Sequence, residues 1–419
     1  MRARYGDAVR FNLLNGRGVA FVSPELAREV FAADLESFEV EAGIVSLFGT
    51  RAVLATSGAE HRRQRKLLNP RFHGGSIRGL LETIQRAVRE CVEGLGAAAS
   101  SGNTVRVLEL AQTITQNVIL EAVFGSDESI DRPAARELLG RFVRAIVPSL
   151  FGITKLHTSL YPPWRTFVQC RAAFDAWVDA IMLARRRSGA LGTDILGSLL
   201  EARYDDGSPI DDGEIRDQLM TLLFAGYETT ATAIAWGVHW LLRETDVLAR
   251  LRAEIDALGS APPVERLVRL PYLEAVASES LRVEPIVTFV SRVCRVPVQI
   301  GPWTVPAGEI ASVNLLGILG DETLYPEPER FRPERFLERS FTATEFLPFG
   351  GGQRRCLGAA FAQAELALAL AVIATEWELT PADPAPERAV RKNLTMGPER
   401  GVPVRVQGRR ARAAAGPPP

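Results

Sequence analysis

The sequence predicts a mainly α protein: one helix-rich domain that carries small β-sheets. Three observations support that expectation. From Asp211 to Arg243 nothing forbids a single helix, and its middle, Met220–Leu242, is apolar on nearly every face. An Ala- and Leu-rich segment, Ala359–Trp377, reads as a second interior helix. Helical periodicity recurs between Ile77 and Arg187, whereas the β-like runs are short. At 419 residues the chain could hold two or three average domains or one large one. No Pro/Gly/Ser linker of any length divides it and no repeat period appears, so residues 1–406 read as one domain.

Taken in order, Val9–Leu13 and Val19–Val22 are β-like runs around Asn15-Gly16-Arg17-Gly18, a hairpin signal. Pro24–Ala32 begins a helix. Glu41–Ser57 mixes apolar and glycine residues without periodicity and is expected to be a loop. Its apolar members Val45, Leu47 and Phe48 would be costly if simply solvated, so they are expected to line something. Glu60–Leu68 is a basic helix that puts His61 and Arg65, i and i+4, on one face. A solvated basic helix would show the same pair. Asn69-Pro70 ends it. Helical patterns run Ile77–Leu95, Val105–Phe124 and Pro133–Val147, Pro162-Pro163 breaks the chain, and Phe167–Arg187 resumes helix.

Further on, Pro271–Val283 is a helix stopped by Pro285, with Glu279 and Arg282 at i, i+3. That spacing fits a rigid bidentate pair or an ordinary surface pair. Ile286–Val290 and Val296–Ile300 look like strands, and Pro306-Ala307-Gly308 like a turn. Pro326–Pro333 is a charged, proline-punctuated loop that leads into Pro333-Glu334-Arg335-Phe336. Leu394–Met396 and Val402–Val406 read as two short strands around Pro398-Glu399-Arg400-Gly401. The Arg/Ala/Pro-rich tail, 407–419, is expected to be disordered.

Composition narrows the function classes. A net charge of −1 gives no argument for nucleic acid as a partner. The four cysteines, Cys91, Cys170, Cys294 and Cys356, form no close pairs, which fits a reducing compartment and a cytoplasmic protein. No signal peptide is visible, and no stretch approaches the ~20 apolar residues of a membrane span.

Two stretches carry chemistry. In the first, Asp211 with Glu214 makes a capping-box signature at the head of a helix about 48 Å long. Its apolar middle nevertheless holds Gly226, Glu228, Thr229 and Thr230. Glycine weakens a helix and a buried carboxylate is expensive. Local rules that fail together inside a core point to function. The alternative is a satisfied glutamate beside back-bonded threonines that bend the helix.

The second is Phe349-Gly350-Gly351-Gly352-Gln353-Arg354-Arg355-Cys356-Leu357-Gly358. It delivers one cysteine to just before a helix N-terminus, where unpaired N–H groups and the helix dipole favour a thiolate. Three glycines let the backbone lie against something flat and wide. A thiolate with no second cysteine nearby is not a zinc site. It suits one axial bond to a haem iron. The alternative is an ordinary loop-to-helix turn with an incidental cysteine.

Together these residues resemble the cytochrome P450 family. Phe349, Gly352, Cys356 and Gly358 match its Phe-x-x-Gly-x-x-x-Cys-x-Gly pattern. Ala225-Gly226-Tyr227-Glu228-Thr229-Thr230 matches its oxygen-activation motif, and Glu279-x-x-Arg282 its E-x-x-R helix, with Arg335 as third partner. His61-x-x-x-Arg65 matches the basic helix of soluble bacterial members. The resemblance runs from about Tyr5 to Val406. It departs at the start, where the family's lead-in helix and proline-rich segment are missing.

The resemblance implies the family fold, a triangular helix-rich domain with small sheets, and a set of roles. Cys356 is the expected iron ligand of haem b, with N–H groups at Leu357 and Gly358 on the sulfur. His61, Arg65, Arg292 and Arg354 are expected to hold the haem propionates, and Phe349, Gly358, Ala225 and Gly226 to border the ring. Gly226 would open the helix for dioxygen, and Glu228 and Thr229 would supply protons as the O–O bond breaks. Glu279, Arg282 and Arg335 form an expected charge network under the cysteine loop. Phe48, Leu222, Phe224, Val287, Phe289 and Met396 are expected to line an apolar substrate pocket, and bacterial members of this pattern act on fatty acids and terpenoids. NAD(P)H electrons are expected through a separate ferredoxin or flavodoxin, docked on Arg62, Arg63, Arg354 and Arg355. The expected protein is a monomer that hydroxylates or epoxidises an apolar small molecule. A peroxide-using or isomerising enzyme of the same fold, and a non-catalytic haem sensor or carrier, are the alternatives. The Glu228–Thr229 pair counts against both.

Overall fold

The computed structural model describes residues 2–13, 16–72, 74–127, 129–259 and 261–411. Its axis is the helix Asp212–Arg243, whose residues 219–224 and 230–239 are buried. Helices Val107–Phe124 and Ala359–Glu376 pack along it, and Gly75–Glu93 packs on both of them. Gly237 permits one of these contacts, because a Cβ there would stand 2.8 Å from Leu370 Cδ2. The capping box forms only by half. The Asp211 side chain accepts from the N–H groups of Gly213 and Glu214. The Glu214 carboxylate turns instead to the Tyr204 hydroxyl and, at 3.2 Å, to Gln64 Nε2.

By length and composition Ala359–Glu376 could cross a membrane, which corrects the sequence expectation. Yet 72% of it is buried inside the fold, as a core helix would be.

The largest sheet has five strands in the order Ala8–Leu13, Gly16–Phe21, Ile310–Asn314, Phe289–Cys294 and Phe38–Glu39. The first pair is the expected hairpin, although Asn15 lies outside the described residues. Gly16–Phe21 then runs parallel to Ile310–Asn314. Gly18 is required there, because a Cβ would meet the Ile310 carbonyl oxygen at 2.0 Å. Phe21, Val30, Phe38 and Val313 form a second core against this sheet. Three smaller sheets complete the fold, including the hairpin Ala389–Lys392/Thr395–Pro398.

Several expectations change. The loop 41–57 contains a helix, Ala42–Phe48, with Leu47 and Phe48 fully buried. Seven residues are too few to show a period, so packing rather than pattern stabilises it. Pro162 and Pro163 do not break the chain. They occupy the first turn of the helix Pro162–Ser188, where a missing N–H costs nothing. Asn69-Pro70 ends the α-helix at Leu68 as expected, and the chain continues as a 3-10 turn, Asn69–Phe72.

The strand expected at 286–290 starts only at Phe289 and continues to Cys294, through a Ser291–Ser312 side-chain hydrogen bond of 2.9 Å. The strand expected at 296–300 is Val298–Ile300. The last two expected strands belong to different sheets: Thr395–Pro398 pairs with 389–392, and Pro403–Arg409 with 377–381 and 104–106. The tail is ordered through Ala411, because Arg410 pairs with Asp256 at 2.6 Å. Residues 412–419 lie outside the described residues.

Candidate active site

The cysteine loop is held closed from within. The Cys356 N–H donates to the Phe349 carbonyl at 2.9 Å, and Gly350 and Gly352 take φ of +65° and +63°. The glycines answer to Phe31 as well as to any flat ligand. A Cβ at 351 would stand 2.4 Å from its ring, and one at 352 would stand 2.2 Å from its carbonyl oxygen. Phe349 is half-buried against the main core, and Cys356 itself is solvent-accessible.

Cys356 is exposed as a residue, yet protein atoms crowd around its sulfur. Burial among protein atoms pushes the Cys356 thiol above its ordinary value, against the opposing pull of the Gly358 N–H, Arg355 and Arg65. Gly358 is the N-cap of Ala359–Glu376, so one amide reaches the sulfur rather than a whole helix end. A cation bound to the sulfur would favour its anionic form. Among the described residues no group of three or more His, Cys, Asp or Glu is placed to hold a metal, so the donor set is a single sulfur.

Near that sulfur stand the four residues expected from the sequence, three arginines and a neutral histidine. His61 is buried in the helix Gly58–Leu68, and its side chain is pushed down to about 3 by burial and by Arg354, Arg65, Arg292 and Arg62. Arg292 and Arg354 are each pushed down to about 10, by burial and by positive neighbours. Each arginine is anchored on the protein: Arg292 Nη1 on the Val30 carbonyl at 2.9 Å, Arg65 Nη1 on the Arg355 carbonyl at 2.7 Å, and Arg354 on the Thr56 carbonyl and, at 3.3 Å, the Ser57 hydroxyl. His61 Nδ1 and Arg292 Nε and Nη2 are buried without a protein acceptor. Buried unpaired donors amid repelling cations are costly unless an anion completes them. The site thus fits a ligand that carries carboxylates.

Across the long helix, Ala225 is exposed and Gly226 and Thr229 are half-buried, while their neighbours are buried. Leu222 lies on the same face, one turn before. The helix stays continuous through Gly226, whose added Cβ would meet Ile119 Cδ1 at 2.7 Å. Close packing of two helices therefore explains this glycine without any opening of the backbone. Thr229 Oγ1 donates to the Ala225 carbonyl at 2.6 Å. Glu228 points elsewhere, to Asn393 Nδ2 at 3.1 Å, with its Oε2 unpaired. Burial pushes its carboxyl up to about 7, against hydrogen bonds from Asn393 and Thr395. The structure does not join Glu228 and Thr229 by a direct hydrogen bond. Asn393 gave no signal in the sequence, because it belongs to a hairpin tip 165 positions away.

Glu279, Arg282 and Arg335 converge in the core. Arg282 Nε and Nη2 reach the two Glu279 oxygens at 2.7 and 2.8 Å, and Arg335 Nε reaches Oε1 at 3.0 Å. All three are buried, so this is not a surface pair. The apolar residues assemble in two groups. The Phe48 and Phe224 rings lie 5.0 Å apart. The Met396 N–H donates to the Ile286 carbonyl at 2.8 Å, which brings it beside Val287. Phe289 is 47% exposed. The expected basic dock is largely neutralised: Arg62 pairs with Glu36, Arg63 with Glu60 and the Tyr204 ring, and Arg354 turns inward. Only Arg355 of that set remains exposed without a side-chain partner among the described residues.

Comparison with known proteins followed the same lines. A family model described as Cytochrome P450 matches residues 1–402. Two Mycobacterium tuberculosis proteins, "Putative cytochrome P450 138" and "Putative cytochrome P450 137", are each 33% identical to the chain. The first match covers 95% of this chain and 88% of the relative, the second 96% and 84%. A solved structure described as retinoic acid bound cyanobacterial CYP120A1 superposes with a TM-score of 0.85 at 25% identity, over 97% of this chain and 92% of that one.

Proposed function

The chain belongs to the cytochrome P450 family, whose members hold haem through a cysteine thiolate and use dioxygen, and from that premise we propose a monooxygenase for apolar small molecules. The substrate class is a terpenoid, a fatty acid or a similar natural product, hydroxylated or epoxidised. Residues 1–406 act as one haem domain. Haem supplies the reductive activation of dioxygen and the insertion of one oxygen atom into substrate.

The observation that carries this reading is the basic cluster of His61, Arg65, Arg292 and Arg354 near Cys356, in which His61 Nδ1 and Arg292 Nε and Nη2 have no protein partner. In this proposal His61, Arg65, Arg292 and Arg354 would hold the two carboxylates of the cofactor and Cys356 would bind its iron, with the Gly358 N–H on the sulfur. Ala225, Gly226 and Phe349 border the ring. Thr229, on the accessible face of the long helix with Ala225, would pass a proton from its hydroxyl toward the reacting oxygen. Glu228, poised near neutrality, is the reservoir from which that proton is replaced, through water or a turn of its own side chain. Glu279, Arg282 and Arg335 keep the loop before Cys356 in place.

Phe48, Leu222, Phe224, Val287, Phe289 and Met396 supply apolar walls, which favours a hydrocarbon substrate. The retinoic acid in the structural relative is of that class. Electrons are proposed to come from NAD(P)H through a ferredoxin or flavodoxin. A soluble, cytoplasmic monomer is part of this proposal.

The test has two arms. Reduced protein under carbon monoxide should show the red-shifted band of thiolate-ligated haem, and Cys356→Ala should abolish it. With NADPH and surrogate redox partners, a screen of terpenes and fatty acids should yield an oxygenated product. Bound haem with no thiolate band would overturn the ligand assignment. A thiolate band without any product across the screen would favour a carrier.

A further inference from the structure

The segment 49–56 lies between the two halves of the site. At one end Phe48 packs on Phe224 of the long helix. At the other the Thr56 carbonyl accepts from Arg354 of the basic cluster. Two adjacent residues in the second turn of the long helix, Asp217 and Gln218, grip this segment by its backbone. The Arg51 N–H donates to Asp217 Oδ2 at 3.2 Å. The Val53 N–H donates to Gln218 Oε1 at 3.0 Å, and Gln218 Nε2 returns to the Arg51 carbonyl at 3.1 Å. Gly49 turns at φ +90° with its α-carbon pressed on the carboxylate, since a Cβ there would fall 2.1 Å from Asp217 Oδ2.

The same carboxylate has a third partner. Arg171 Nη2, from the helix Pro162–Ser188, donates to Asp217 Oδ1 at 2.5 Å, while its Nε spans Asp175 at 2.9 Å. Further pairs continue this seam: Arg216 with Asp179 at 2.6 Å and Arg186 with Asp212 at 2.6 Å. Those pairs are more exposed than Arg171–Asp217, in which the Asp217 side chain is only 9% accessible. A charge-assisted hydrogen bond counts for more when it is buried. Asp217 therefore stands where three otherwise separate elements meet: the long helix, the 162–188 helix, and the segment that carries one pocket wall and one side of the basic cluster.

We propose that Asp217 is a positioning residue for ligand selection: it locks the 49–56 segment and the 162–188 helix onto the long helix, and so fixes how wide a molecule can pass Phe48. The proposal rests on the haem-site reading above for the location of the pocket. Its tests use binding and exchange, not turnover, so it can fail while that reading stands. Asp217 needs no contact with ligand or cofactor. It acts through the backbone of residues 49–53.

The experiment compares two iron-binding probes of different width, imidazole and 4-phenylimidazole, by stopped-flow absorbance on the ferric holoprotein. Asp217→Ala is expected to raise the 4-phenylimidazole association rate about fivefold while leaving imidazole within about twofold. Arg171→Gln should act in the same direction, and the double variant should add little, because both break one lock. Hydrogen exchange should quicken in a peptide covering 49–56 and stay unchanged in 359–376. If Asp217→Ala does not load haem, Asp217→Asn and Arg171→Gln serve in its place. Equal changes for both probes, additive single effects, or faster exchange at 49–56 without a change in probe selectivity would each overturn the proposal.

Discussion

Asn393 donates its side-chain N–H to Glu228 Oε1 at 3.1 Å, so the tip of a small hairpin partly offsets the burial that raises this carboxyl in the long helix. Asn393 adopts a left-handed φ of +53°, which aims its amide at the helix. Burial pushes the Glu228 carboxyl from 4.5 up to about 7. A carboxyl raised in the fold stabilises it fully at low pH and loses that contribution as pH rises through the raised value. Wild-type stability relative to Glu228→Gln should therefore fall by about 3 kcal/mol between about pH 4.5 and pH 7. Urea midpoints across that range measure it. Asn393→Ala removes a donor and should move the fall to higher pH. A pH-independent difference between wild type and Glu228→Gln would contradict the assignment.

Thr229→Ala should leave haem content and ligand affinity within about twofold, yet lower product per NADPH by about tenfold or more, with hydrogen peroxide made up in its place. Simultaneous product, peroxide and NADPH assays check this. An unchanged ratio would remove Thr229 from proton delivery.

Glu279→Gln should cost about 3–5 kcal/mol, because it leaves Arg282 and Arg335 buried without their shared carboxylate. Thermal melting and haem recovered per chain report the loss. A melt within a degree or two of wild type would show that the network is not needed for the fold.

Arg292→Leu removes two buried unpaired donors, so apoprotein stability should hold or improve while haem retention weakens. Haem transfer to apomyoglobin should accelerate about tenfold. Transfer at the wild-type rate would exclude Arg292 from holding the carboxylates.

Much of this site was legible from the chain alone. Helix boundaries such as Pro24–Ala32 and Pro271–Val283 follow the local pattern to the residue, because capping and proline placement act over a few positions. The helix Ala42–Phe48 was not legible, since about two turns carry too little pattern to show a period and its form rests on the burial of Leu47 and Phe48. Arg62 and Arg63 looked like a free basic face. Glu36 and Tyr204, which occupy them, come from other parts of the chain.

By itself the sequence determined the residues of the site and the family they belong to: Cys356 in its glycine loop, Glu228-Thr229 inside an apolar helix, Glu279 and Arg282 one turn apart. These are regularities of adjacent residues, governed by helical spacing and local backbone freedom. Only the tertiary structure decided which charges meet. It gathered His61, Arg65, Arg292 and Arg354 without an acid, gave Glu228 to Asn393, and made Asp217 the common partner of Arg51 and Arg171. Such pairings join positions far apart in the chain, so packing, not spacing, chooses the partner and its desolvation sets the energy.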